Sequence, residues 1–569
     1  MKKLNKTVSL VLVALMIFAV CVAVVGCAPK TIDTEDHLEI KVYKAGNGTD
    51  SIKNVAKRFM ELNPGKTVEI KESTDPRIIE SELSNGPRYN TTDLYLAGGS
   101  FFNISNRDSI TIDGVTYENA FVSLDDVYES TPYGETVLIK DKMQKDYVNY
   151  YYTEELAAGK HSYYAPWVSG WRGIVYNSKM FETYGWTVPV TTDEMFELCD
   201  QINATVAKST NKNSLGKDIV ISPFTYSRAD GYWESVETEW WIQYEGMENY
   251  ILFGQGMNAD GEYTPEIVTA KGILESMKVM EKILGTYYKD EDGNTVPRTN
   301  IYCDNTLTLR TYTDIQSTFL YGEEARINAS GATTAAMMPV GDWLENEMIS
   351  NFSEEIAEDK VAFKAMKTPV ISALADKTSF KDATDKDAKL RELVHYIDDL
   401  DEGKNVTKPS FATDEDVEIV SAARHIVSSQ FAEVMIIPAY SSSVELAKEF
   451  IRFLYCDEAC KIFAQATNGV ELPIECDFEG VTISAFQQSK FEIVNREKTT
   501  FVMGISKYPM TYTGALTAFS NSDAYGSMEG KFGVSNPNDF MSAQEIIAAN
   551  FKSVSRNWNQ KLKDAGLLD

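Results

Sequence analysis

The sequence predicts an α/β protein of two lobes, each a mixed sheet flanked by helices, and three observations carry that expectation. The chain has 569 residues, 43% of them apolar and 24% charged, an ordinary globular balance in a length that calls for more than one core. Residues 38–70 read as strand, loop, helix and strand, a unit that builds sheets whose ligands sit at the loops beyond the strand ends. Residues 163–177, YYAPWVSGWRGIVYN, set Trp167 and Trp171 among small residues and run into the apolar Ile174, Val175 and Tyr176. Two indoles beside Gly170 and Gly173 suit neither a surface loop nor a plain core strand. We read this stretch as the place where the backbone leaves one lobe, lines a cleft with aromatic rings and enters a strand of the next, Pro166 stiffening the hinge.

The formal charge is −30, and removing residues 1–26, with three lysines and no acid, makes it more negative still. So acidic a body repels phosphate backbones and anionic lipid surfaces, and no nucleic-acid partner is expected. Lys2, Lys3 and Lys6 precede an apolar run over 8–25 that ends in Val24-Val25-Gly26-Cys27. A run this long could span a membrane, but the small-residue step at Gly26 and the cysteine after it fit better with a signal peptide cut before Cys27. This resembles the bacterial lipoprotein signal. The resemblance implies a diacylglycerol on the Cys27 thiol, a tether over 27–37, and a body held at the outer face of the bacterial cytoplasmic membrane by its lipid alone. Beyond residue 27 remain Cys199, Cys303, Cys456, Cys460 and Cys476, an odd number that excludes a complete disulfide framework in a monomer. Cys456 and Cys460, four apart on an expected helix, have no histidine nearby in sequence and read as buried structural thiols rather than metal ligands.

In chain order, residues 38–42 alternate apolar with charged, as a strand covered on one side does. A turn over 45–50 leads to a helix through Val55, Phe59 and Leu62, stopped by Asn63-Pro64-Gly65, and Val68-Glu69-Ile70 starts the second strand. Gly46 and Gly48 mimic the start of a dinucleotide fingerprint, but Ser51 stands in the third glycine's place, and no nucleotide is expected. A strand over 92–96 opens into a loop with Phe101 and Phe102, which either fold back on the core or touch a ligand. Helical pattern follows over 124–128 and, with a tyrosine-rich face, over 143–156. Beyond the two-tryptophan stretch come a helix stopped by Gly185 and a second one capped by Thr191 or Thr192.

This order, with the NPG stop, Tyr163-x-x-Pro166 and G-x-x-V-P-x-T-x-x-E from Gly185 to Glu194, resembles the family 1 extracellular solute-binding proteins of ABC importers, relatives of maltose-binding proteins. The likeness continues through Trp233, Trp240 and Trp241, of which adjacent residues cannot share one helix face, so that one packs inward and the other is free. It continues through Asp342 and Trp343 after an apolar strand, similar to the family's strand-then-Gly-x-Trp element, whose tryptophan stacks on a sugar ring. Residues 434–438 and ELAKEFIRFL over 445–454 resemble the family's return strand and helix. The likeness spans about 38–475 and departs at 352–430 and 491–569, both read as decorations of the second lobe, with 546–558 helical in period.

The resemblance implies a type II periplasmic-binding-protein-like fold, with lobe 1 over 38–160 and 431–490, lobe 2 over 161–430 and 491–569, and hinge crossings near 160–166 and 428–434. It implies a monomer that needs no cofactor, a carbohydrate ligand, an oligosaccharide for preference, and the permease subunits of an ABC transporter as partners. A sugar offers flat C–H faces to indoles and a rim of hydroxyls to carboxylates and amides. Trp167, Trp171, Trp233, Trp241 and Trp343 are the candidates for the faces. Asp342, Asn47, Asp50 and Glu239 are candidates for the hydroxyls, with Gly48 and Phe101 at the same loop ends. Any one tryptophan suits a core equally well; their recurrence beside glycines at strand ends favours the cleft. His37, His161, His395 and His425 sit in no metal pattern, and no G-x-S-x-G elbow or P-loop is present. Asp290, Asp292 and Asn294 faintly resemble a calcium loop but lack its glycine and its glutamate, so no metal is expected. A carboxylate pair spaced for glycoside hydrolysis could hide among 84 acids, which leaves a surface glycoside hydrolase as the alternative to a binding protein.

Overall fold

The alternation over 38–42 becomes β1 (His37–Tyr43), which buries Leu38, Ile40 and Val42 completely. The helix Asp50–Leu62 lays Ile52, Val55, Ala56 and Phe59 on it, and Phe59 meets Phe450 and Phe453 of the return helix Val444–Leu454 at 5.4 and 5.5 Å. Asn63 ends the first helix by donating its side-chain amide to the Phe59 carbonyl at 2.8 Å, and Gly65 turns the chain at φ +99°. This computed structural model describes residues 35–44, 46–107, 109–206, 219–225, 231–303, 311–320, 332–349, 362–429, 433–494, 497–516 and 531–568. Cys27, the expected leader and most of the tether lie outside them. None of the helices among the described residues is long and apolar enough to cross a membrane.

Two sheets organise the chain, with strands numbered in chain order. The first joins β1, β2 (Thr67–Ser73), β3 (Leu94–Ala97), β6 (Ala165–Val168) and β14 (Glu433–Ile436) in the order β2-β1-β3-β14-β6. Its first three strands are parallel, and β14 runs antiparallel to both neighbours. The second joins β7 (Arg172–Asn177), β8 (Ile219–Phe224), β11 (Ala332–Gly341), β12 (Phe363–Met366), β13 (Ile426–Ser428) and β15 (Thr500–Val502) in the order β15-β13-β7-β11-β8. Here β12 shares the edge of β7 with β13. Two hairpins, β4–β5 (Ile110–Ile112, Val115–Tyr117) and β9–β10 (Tyr287–Lys289, Thr295–Pro297), stand apart. Asp290 closes the turn of the latter by accepting from the backbone of Asp292 and Asn294, so the calcium-like spacing is a hairpin turn.

The chain crosses from the first sheet to the second at residues 169–171, not at 160–166. Residues 165–168 are β6, an edge strand, which tolerates Pro166 because a proline has no N–H to give a ladder. The second crossing lies between β13 and β14, with 430–432 outside the described residues. A third follows Ile474, which still pairs with Met143 in the first lobe, since the helix Ala485–Ile493 packs on β12 through Phe486 and Phe363, 5.0 Å apart. That helix belongs to the second lobe and not, as expected from sequence, to the first. The described part of the expected insertion, 362–429, is no mere decoration: it supplies β12, β13 and the helices Lys386–Asp401 and Asp414–Arg424. These last are clamped by Arg424 on Asp398 at 2.8 Å.

At the junction Lys490 is buried between Asp342 and Glu471, its Nζ 3.5 Å from a carboxylate oxygen of each. Burial raises the Asp342 carboxyl and depresses the Lys490 ammonium. Replacing Lys490 by Met strands two carboxylates without their cation, and urea denaturation should show a loss of about 3–5 kcal/mol. Adding Asp342→Asn in the same chain should recover part of that loss.

Candidate functional site

A cleft of about 1320 Å³ lies between the sheets, where the carboxyl ends of β1, β3 and β11 meet the start of β7 and β14. From the first lobe it is lined by Tyr43, Asn47, Gly48 and Asp50 after β1, by Gly98 to Ser100 after β3, and by Glu433. From the second it is lined by Arg172, Tyr232, Tyr312, Trp343, Asn346 and Glu347. Trp343 follows β11 by two residues and packs flat enough on backbone that only glycine fits beside it. A Cβ at Gly341 would lie 2.0 Å from its ring, and one at Gly46, across the cleft, 2.5 Å away. The Arg172 guanidinium stands 5.0 Å from the indole centroid and 5.3 Å from the Tyr232 ring, two cation–π contacts that fix the cation at the cleft wall.

The lobes touch through amides. Asn346 donates to the Asn47 side chain and to the Thr467 carbonyl, both at 3.0 Å, and accepts from Asn468 at 2.8 Å. Five carboxylates, Asp50, Glu72, Glu80, Glu347 and Glu433, face three cations, Lys44, Arg77 and Arg172, across the lining. Glu72 is engaged by Thr49 and by Lys53, which hold it below the ordinary range. Glu433 is different. Burial, and then the charge of Asp342, push it up to about 8, so that near neutrality it offers a carboxylic O–H to the cleft. The site therefore combines aromatic edges and faces, neutral hydrogen-bonding groups of both senses and nearly compensated charge.

Of the residues expected at the site, Trp343, Asn47, Gly48 and Asp50 line the cleft. The others do not. Trp167 is a core residue of the first lobe, edge-on to Phe463 at 5.6 Å. Trp171 lies buried over Gly173, whose Cβ would come 2.6 Å from the ring. Trp233, Trp240 and Trp241 are all buried, because the helix Trp233–Glu245 is covered on every side. Trp233 meets Phe224 at 5.1 Å, Trp240 donates its N–H to the Pro369 carbonyl at 3.0 Å, and Trp241 packs on Tyr250 and Phe253. Phe101 is fully buried, leaving Gly98 to Ser100 at the surface of that loop. Asp342 is buried on Lys490, and Glu239 accepts from the Ser428 backbone in the core. Tyr43, Tyr232, Tyr312 and Glu433 were not found from sequence; only the position of Tyr43 and Glu433 at strand ends could have signalled them.

No protein-family model matches the chain, and no curated protein is similar to it in sequence. In fold it is similar to a chitin oligosaccharide binding protein (TM-score 0.55, 15% identity, 92% of this chain and 99% of that one). It is also similar to the bacterial solute receptor AcbH, described as having an exclusive preference for β-D-galactopyranose (TM-score 0.52, 12% identity, 93% and 99%). A third is the GacH receptor of Streptomyces glaucescens, known in complex with acarbose (TM-score 0.51, 11% identity, 93% and 98%). The chain has the two-lobed fold of these solute-binding proteins.

Burial pushes both the Glu433 and the Glu239 carboxyl up to about 8 in the folded chain. The folded chain thus holds their protons more tightly than the unfolded chain does. Their contribution to the unfolding free energy falls as pH rises from 4.5 to about 8 and is flat above. Glu433→Gln should flatten that slope, so that the variant's melting temperature exceeds that of the parent by several degrees at about pH 9 and matches it near pH 5.

Proposed function

We propose that this chain is the lipid-anchored receptor of an ABC importer, a family 1 solute-binding protein that captures a carbohydrate between its lobes and passes it to the permease without chemical change. The observation that carries the proposal is the composition of the cleft: an indole held in place by two glycine backbones and a guanidinium, with tyrosines, amides and a protonated carboxyl around it. An apolar ring face with hydrogen-bonding groups at its edge suits a polyhydroxylated ring, and nearly balanced charge suits a neutral ligand. A cleft of about 1320 Å³ exceeds the roughly 300–1,000 Å³ of ordinary small-molecule sites, which favours more than one sugar ring. The names of the three similar structures, all receptors or binding proteins for sugars or sugar-like ligands, support the same reading.

Binding biases the lobes toward the closed arrangement to the extent that the ligand contacts both at once, and that arrangement is what the permease would recognise. The leader and Cys27 would place the receptor at the outer face of the cytoplasmic membrane, held by its lipid. Titration calorimetry against a panel of mono- and oligosaccharides, with a hydrolysis assay on the same panel, tests the proposal. Binding without turnover is expected, and released product would overturn it in favour of a glycoside hydrolase. Trp343→Ala should weaken the bound sugar by about 30-fold or more while leaving the fold intact by circular dichroism.

A further inference from the structure

The helix end and loop that bring Ala466 and Asn468 to the cleft are bracketed by two thiols that the proposed sugar binding does not use. Cys460 is buried in the helix Asp457–Ala466, and Cys476 is partly exposed just beyond Ile474. The Cys476 sulfur lies 3.8 Å from the Asp457 carbonyl, which in a helix points toward the turn holding residues 460 and 461. The Cys460 side chain, tilted toward the N-terminal end of its helix, places its sulfur 3.7 Å from the Leu454 carbonyl beside the same turn, and the neighbouring Cys476 thiol raises its pKa. Both sides of the pair are pinned. The Glu475 amide donates to the Lys142 carbonyl at 2.8 Å, and the Lys142 ammonium holds Asp457 and Glu135 at 2.7 Å each and the Tyr455 carbonyl at 3.2 Å. Cys456, buried at the start of the same helix, is four residues from Cys460, and Cβ atoms so placed on one helix point in similar directions, a poor geometry for a bridge.

We propose that Cys460 and Cys476 form an intramolecular disulfide when the protein meets a small-molecule disulfide oxidant. The more exposed sulfur, Cys476, attacks one sulfur of the oxidant as the thiolate, making a mixed disulfide and releasing one oxidant thiolate that takes up a proton. Cys460 then gives up its proton and attacks the Cys476 sulfur, expelling the second oxidant thiolate. Two protein thiols lose two protons and two electrons between them, and the oxidant's disulfide becomes two thiols. The bridge closes a ring over residues 460–476 around Thr467 and Asn468, which make the amide contacts to Asn346 across the cleft.

The full chain, incubated with oxidised glutathione, denatured, alkylated and mapped by mass spectrometry, tests this. The expected product is a Cys460–Cys476 cross-linked peptide pair about 2 Da lighter than the two reduced peptides together, with Cys456 alkylated. Cys456→Ser should form the same bridge, and Cys476→Ser should leave Cys460 alkylatable. The proposal is overturned if both cysteines are alkylated after oxidation, if glutathione remains attached to Cys476, or if the bridge joins Cys456 instead.

Discussion

The residues that open the first two crossings meet at a single buried point. The Tyr147 hydroxyl donates to the Ser169 carbonyl at 2.6 Å and contacts the Ser429 hydroxyl, which itself bonds the Ser169 carbonyl. Ser169 is the first residue after β6 and Ser429 the first after β13, so one tyrosine ties the outgoing crossing to the returning one. The second lobe hangs from this knot. β7 starts three residues after Ser169 and is paired by β11, β12 and β13, so its position sets that of Arg172 and, through Gly341 opposite Arg172, that of Trp343. Buried hydroxyls with no alternative partner in water hold such a junction in one geometry, because any shift leaves polar atoms unsatisfied.

Around that fixed point the cleft is shaped by what is missing as much as by what is present. Gly46 and Gly341, from opposite lobes, admit the indole of Trp343 where any Cβ would collide with it. Gly98 does the same for Tyr43, whose ring would lie 2.8 Å from an added Cβ. Aromatic rings packed on bare backbone lose rotamer freedom before any ligand arrives, and ligand affinity is then not spent on ordering them.

Local patterns were legible in the sequence: the period of β1, the NPG stop, the helical tyrosine face that becomes Tyr147, Tyr150, Tyr151 and Tyr152, and the passage between lobes beside Trp171. These depend on residues close together in the chain. The tryptophans of 233–241 misled because Ser235, Glu237, Thr238, Glu239 and Gln243 look solvated, whereas the helix is buried all round and its acids bond inward, as Glu237 does to Ser276. Asp342 misled because its partner is Lys490, remote in sequence, which turns an apparent cleft acid into a core ion pair. Glu433 escaped notice because a single acid opening an apolar strand reads as a strand end. Only the sheet order, with β14 between β3 and β6, shows that it faces the space between the lobes.

Asn346 makes three hydrogen bonds to the opposite lobe from one short side chain. A planar amide cannot give up one of these by turning without misaligning the others, so they are made and broken together. At this point of the cleft, parting the lobes breaks all three together rather than one after another.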